Sequence, residues 1–170
     1  RHLRPFLLPR PSIFKGKIFG NPINQPITDP HGSQPSGLFV STLRILYLFL
    51  DYKLGDMIAT ISRRDMIIVY DRYFYDLVID PKRFRVNPRL RFVNYLTRMI
   101  REPNLVIACV GDVHVQWNRK KEVSFNEAED QYQRLLQLCS QLNNVKYVDT
   151  TIDYRTTASK IRKIINYQSF

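Results

Sequence analysis

An acid and an arginine stand side by side at Asp71-Arg72, where the run Met66-Ile67-Ile68-Val69-Tyr70 ends. A carboxylate in such a place holds Mg²⁺ through water or accepts a proton, and a guanidinium beside it grips a phosphate through two parallel hydrogen bonds. Taken alone, the pair reads slightly better as a structural ion pair at a strand end. The preceding residues change that balance. Five mostly aliphatic positions run without polar alternation, so residues 66–70 are expected to form a strand buried on both faces, the habit of parallel sheets covered by helices. In an open α/β sheet the carboxyl ends of the strands face the ligand crevice, which would set Asp71 and Arg72 at its floor.

Two further clusters carry positive charge. Asp80-Pro81 marks a turn, and Lys82, Arg83 and Arg85 follow it. Arg119-Lys120-Lys121-Glu122 closes a short helical pattern that follows a second apolar run. Three consecutive cations usually form a solvated face. At the end of a helix that follows a crevice-facing strand they can instead close over phosphates, and both readings stand.

The elements that position these groups alternate in type. Residues 1–37 hold seven of the ten prolines and four of the six glycines, so an irregular segment is expected there, with His2, Arg4, Arg10, Lys15 and Lys17 as its cations. It reads equally as a basic linker and as a substrate loop. From Leu38 the spacing becomes helical. Leu43, Leu46, Tyr47, Leu50, Leu54, Met57, Ile58 and Ile61 form one stripe, expected to be the buried face, with Ser36 or Ser41 as cap. Asp51 interrupts the apolar helix and points either to solvent or into the crevice. Asn87-Pro88 is expected to begin another helix, buried through Val93, Leu96 and Ile100 and halted by Pro103.

Leu105–Val110 reads as a second strand, with Asp112 as cap of the short helix after it. Ser124 to Glu127 has the capping-box form and opens a helix with the stripe Ala128, Tyr132, Leu135, Leu136, Cys139 and Leu142. Val145–Asp149 is the third strand, and a last helix spans roughly Tyr154–Tyr167. Strands alternating with helices predict an α/β architecture with a parallel sheet, in one domain over 1–170 whose α/β core spans 38–170. Three strands are few for so many helices.

With 170 residues the chain is long enough for a real core. Its formal net charge of +11 points to an anionic partner. Cys109 and Cys139 lack metal-ligand spacing and read as reduced thiols of a cytoplasmic protein, and His2, His31 and His114 are scattered. The most apolar segment, 38–54, contains Ser41, Thr42, Arg44, Asp51 and Lys53, which argues against a membrane span. A basic nucleic-acid-binding α/β domain, with aromatic rings stacking on bases, fits the charge as an alternative.

Val69-Tyr70-Asp71-Arg72-Tyr73-Phe74-Tyr75-Asp76, then Pro103-Asn104-Leu105-Val106-Ile107, then Arg119-Lys120-Lys121-Glu122 resemble the thymidylate kinase family of P-loop nucleoside-monophosphate kinases. Arg1-His2-Leu3-Arg4-Pro5 and Asp80-Pro81-Lys82-Arg83-Phe84-Arg85 look like motifs of its members found with bacterial polysaccharide genes. Nearly the whole chain is covered by the resemblance. It implies a three-layer P-loop NTPase fold and phosphoryl transfer from ATP, with Mg²⁺, to a nucleoside monophosphate or similar phosphorylated acceptor, in a protein that is often a homodimer. By that resemblance Arg72 grips the acceptor phosphate, and Asp71 orients the attacking oxygen or holds Mg²⁺ through water. Arg119, Lys120 and Lys121 belong to the lid, with Arg119 in a catalytic role. Arg4, Asp51, Tyr52, Tyr73, Asp76, Arg83 and Arg85 line the acceptor side. Such chemistry needs position and positive charge more than a nucleophilic side chain.

This sequence departs from the family pattern at three places. Gly-x-x-x-x-Gly-Lys-Ser/Thr is absent: Gly16-Lys17 is followed by Ile18, and Pro11 stands where the first glycine belongs. Tyr52 follows Asp51 where the family has an arginine, and Asp76 replaces a serine, which puts thymine specificity in doubt. Cys109-Val110 replaces Leu-Asp, with Asp112 two residues on. The missing loop leaves two expectations, a front β-α unit upstream of Arg1 or a pseudo-kinase that only binds. In the family sheet order, 2-3-1-4-5, the strands at 66–70 and 105–110 would flank the missing central one.

Overall fold

A computed structural model of the chain describes Leu8 and residues 36–62, 67–87 and 91–167. It divides into two compact units, Arg1–Arg101 and Glu102–Phe170. The architecture is mixed α/β, and among the described residues the sheet has two parallel strands.

In the first unit, α1 spans Leu38–Ser62, α2 Asp76–Ile79 and α3 Val93–Met99, with a 3₁₀ turn at Pro81–Phe84 between α2 and α3. Their core is Ile45, Leu48, Phe74, Leu77, Val86, Val93, Leu96 and Ile100. The buried side of α3 is thus the expected one, although α3 begins at Val93 rather than at Asn87-Pro88. Phe92 holds the N-cap position, and residues 88–90 lie outside the described residues.

The buried face of α1 differs from expectation. Ser41, Arg44, Ile45, Leu48, Asp51 and Gly55 are turned inward at three- and four-residue spacing. Leu43, Leu46, Leu50, Met57, Ile58 and Ile61, six of the eight residues of the expected core stripe, are exposed. The reason is that α1 is apolar on nearly every side, so partners rather than periodicity choose its buried face. Those partners are the apolar core for Ile45 and Leu48, and polar groups for Ser41, Arg44 and Asp51. The Arg44 guanidinium donates from Nη1 to the carbonyls of Phe84 (2.8 Å) and Arg85 (2.9 Å), and from Nη2 to Ser36 Oγ (3.1 Å). Ser41 Oγ donates to Ser36 O and accepts from the Asn87 N–H. Two stretches about forty positions apart are so joined through hydrogen bonds that the interior makes stronger than water would.

Residues 67–70 do not form the buried strand expected over 66–70. Val69 makes only an isolated bridge, and Ile67 and Val69 are 59% and 52% exposed. A strand buried on both faces needs neighbours on both sides, and among the described residues no ladder takes it up. Met66 lies outside the described residues.

The second unit follows the expected alternation closely. Strand β1, Val106–Val110, pairs in parallel with β2, Val145–Asp149, in the register Val106 to Val145 through Val110 to Asp149. Between them come α4, Val113–Arg119, and α5, Phe125–Cys139; α6, Tyr154–Tyr167, follows β2. The Ser124 hydroxyl accepts from the Glu127 N–H (3.3 Å), and Asp112 caps α4 by accepting from the Val115 N–H (3.1 Å). Helix α5 lies against β1 and α6 against β2. Ala108, Leu138, Cys139 and Val148 are buried, whereas Ala158, Ile161, Ile164 and Ile165 of α6 are only half-buried. Among the described residues, no helix is long and apolar enough to cross a membrane.

Candidate functional site

The chain after Tyr70 turns sharply, and aromatic packing fixes the turn. Tyr73 meets the rings of Tyr52, Tyr70 and Tyr75 edge-on at 5.0–5.5 Å between centroids, and Phe74 packs on Phe49 and Tyr52. The Tyr52 hydroxyl donates to the Arg72 carbonyl (3.2 Å), and that of Tyr73 to the Arg101 carbonyl (2.6 Å). Burial, helped by Asp56, pushes the Tyr73 phenol far up, so it stays a donor. These contacts hold the backbone of residues 70–75, and with it the exposed Asp71 and the half-exposed Arg72.

Arg72 and Asp76 face each other one helical turn apart, Nη1 to Oδ2 at 3.1 Å. Burial raises the Asp76 carboxyl above its ordinary range, against the opposing pull of Arg72 and Arg83, and the nearby Asp80 adds to the rise. Three charged groups, Arg72, Arg83 and Asp80, therefore act on the Asp76 carboxyl. Asp80 also caps the 3₁₀ turn, with Oδ1 accepting from the Arg83 N–H at 3.2 Å. Arg85 ends that turn in the left-handed region (φ 53°) and stands near the buried Arg44, whose proton affinity falls through burial first and the Arg85 charge second.

Of the expected acceptor-side residues, the structure thus brings Tyr52, Arg72, Tyr73, Asp76 and Arg83 together in the first unit. Asp51 is fully buried on α1, where Oδ1 accepts from the Leu8 N–H (2.9 Å) while Tyr47 donates to the Leu8 carbonyl. It holds the backbone of Leu8 rather than facing solvent. Arg4 lies outside the described residues.

Arg119, Lys120 and Lys121 belong to the second unit. Arg119 reaches the carbonyls of Thr150, Thr151 (2.6 Å) and Ile152 (3.3 Å), holding the loop after β2. Lys120 pairs with Glu122 at 2.6 Å, and the Lys121 ammonium lies 4.8 Å from the Trp117 ring centroid. At the carboxyl end of the strand pair, Asp149 Oδ1 accepts from both the backbone (2.8 Å) and the hydroxyl (2.6 Å) of Thr151. Gln116 Nε2 donates to Thr150 Oγ1 (2.9 Å). The Thr151 hydrogen bonds hold the Asp149 carboxyl below its ordinary range. Sequence reasoning missed this cluster and the role of Arg44. The first had a signal, since Asp149 ends a strand expected from the sequence and Thr150-Thr151 follow it directly. The second had none, because its acceptors are backbone carbonyls.

Among the described residues, no three His, Cys, Asp or Glu side chains converge to hold a metal. In the first unit Asp71 offers an exposed carboxylate, a single ligand of the kind a Mg²⁺ that keeps its waters takes beside phosphates. No protein-family model, curated protein or solved structure matches the chain.

Proposed function

We propose that this chain binds the phosphate of a nucleoside monophosphate or similar acceptor, on the acceptor side of a thymidylate-kinase-like phosphoryl transfer within a P-loop-kinase type of fold. The observation that carries the reading is Arg72. Its guanidinium is held by Asp76 at 3.1 Å yet stays half-exposed, beside the exposed Asp71, and Arg83 acts on the same Asp76 carboxyl. A pre-oriented guanidinium suits a planar, doubly hydrogen-bonded phosphate. Charge distribution agrees. Seventeen of the 26 lysines and arginines but only seven of the 15 acids fall within residues 1–101, so ten of the eleven excess charges belong to the first unit.

The given sequence lacks Gly-x-x-x-x-Gly-Lys, the motif whose amides cradle ATP phosphates, so the proposal is confined to the acceptor. Mg²⁺ would sit at Asp71, where it would neutralise phosphate charge. Tyr52, Tyr70, Tyr73 and Tyr75, the aromatic residues around Arg72, pack edge-on against one another, which favours this reading over base stacking there by a nucleic-acid-binding domain.

Equilibrium titration of the full chain with nucleoside monophosphates and a sugar phosphate tests the proposal, with the unphosphorylated nucleosides as controls. Binding that requires the phosphate supports it. Equal binding of the nucleosides, or salt-sensitive binding of DNA without any binding of nucleotides, contradicts it.

A further inference from the structure

The Arg72 guanidinium already carries a counter-ion. Its Nη1 lies 3.1 Å from Asp76 Oδ2, and the two side chains are 36% and 23% exposed. Among the described residues, Arg72 before α2, Arg83 on the 3₁₀ turn and Asp80 at the end of α2 act on the Asp76 carboxyl. Two guanidinium groups thus stand against two carboxylates, and their formal charges cancel. A phosphate dianion that comes to Arg72 meets no surplus of positive charge from this group.

It also meets Asp76 closely. A phosphate oxygen that accepts from the same Nη1 at about 2.8 Å would stand roughly 5 Å from the carboxylate. Like charges that near each other, partly withdrawn from water, favour a proton on one of them. We infer that Asp76 couples acceptor binding to a proton: as a carboxylate it positions Arg72, and when a phosphate takes the guanidinium, the carboxylate and the phosphate together bind one proton from solvent. The inference rests on the proposed binding of phosphate at Arg72 and adds how that site answers to pH. Burial already moves the Asp76 carboxyl in this direction, above its ordinary range, against the pull of Arg72 and Arg83.

Phosphate beside Asp76 gives the bound state a higher proton affinity than the free chain. Binding therefore tightens as pH falls through the bound-state value, by at most about tenfold per pH unit, and levels off below the free-state value. A site made of cations alone would do the reverse. Arginines favour the phosphate dianion, so binding would release its second proton, which titrates near about pH 6.

Calorimetric titration of the full chain with adenosine and thymidine monophosphates, without divalent metal, tests the coupling. Two buffers of unlike ionisation heat, compared between pH 5 and 8, count the protons and need no variant. The expected result is an uptake of up to one proton per bound phosphate that peaks inside this range and that Asp76→Asn lacks. Asp76→Asn keeps an oxygen for Arg72 but loses the charge. It should bind nearly as the parent does at pH 5 and about tenfold more tightly at pH 8. A side chain that only positioned Arg72 would instead leave the variant weaker by the same factor at every pH. No uptake by the parent, or a variant-to-parent affinity ratio that does not change with pH, overturns the inference and leaves the phosphate reading standing. If neither monophosphate binds, the reading of Arg72 falls and this inference falls with it.

Discussion

Gly111 closes β1 with a φ of 144°, a conformation that L side chains rarely adopt. A methyl group there would also lie 2.5 Å from Thr151 Cγ2, 2.9 Å from Asp149 Oδ1 and 3.4 Å from Gln116 Nε2. None of these neighbours is free to retreat, because Asp149 is bonded to Thr151, and Gln116 to Thr150. Backbone strain of about 1–3 kcal/mol and overpacking of about 1–3 kcal/mol oppose Gly111→Ala. The stiffer unfolded chain returns less than about 1 kcal/mol. A net loss of about 3 kcal/mol is expected, a large share of the roughly 3–10 kcal/mol available to a unit of this size. Trp117, the single tryptophan, lies in the same unit, so its fluorescence during urea unfolding of the full chain reports the change. With a slope of about 1–1.5 kcal/mol per molar, the midpoint should fall by about 2 M. Adding Thr151→Ser removes the methyl overlap but keeps the hydroxyl for Asp149, and should recover the packing part and leave the strain. Gly37→Ala, where nothing lies within 4 Å, should stay within about 0.5 kcal/mol by circular dichroism. A Gly111→Ala midpoint equal to that of the parent would refute the reasoning.

Arg44→Ala should destabilise the first unit by about 3–5 kcal/mol in urea melts, because the carbonyls of Phe84 and Arg85 lose a buried charged donor. Ser124→Ala should cost about 1 kcal/mol in the tryptophan-detected transition through loss of the α5 cap. The Asp149 carboxyl, held below its ordinary range, contributes stability that is present above the unfolded value and lost as pH falls through the folded one. Thr151→Val removes the hydroxyl donor, so an NMR titration should find Asp149 shifted upward, toward the ordinary carboxylate range.

The second unit was nearly readable from the sequence because its signals are local. The β2 strand and α6 fall at the expected residues, and Ser124 and Asp112 cap as their spacing predicts. The first unit was less readable because long-range partners decide it. Arg44, Asp51 and Ser41 are turned inward by backbone groups of Phe84, Arg85, Leu8 and Asn87, and no periodicity announces a carbonyl. The aliphatic run before Asp71 carries the composition of a buried strand, but burial also needs neighbours, and composition does not supply them. Of the candidate site, the sequence named Arg72, Asp76 and Arg83. It did not reveal that Asp76 holds Arg72, or that Arg119 grips the loop after β2.

The most direct measurement is calorimetric titration of the full chain and of Arg72→Ala with one panel of nucleoside monophosphates. A charged hydrogen bond to phosphate is worth about 1.5–3 kcal/mol. The account predicts that the parent chain binds at least one of them and that Arg72→Ala weakens it at least about tenfold at a temperature where circular dichroism shows both chains folded. Equal affinity in the two chains would contradict it.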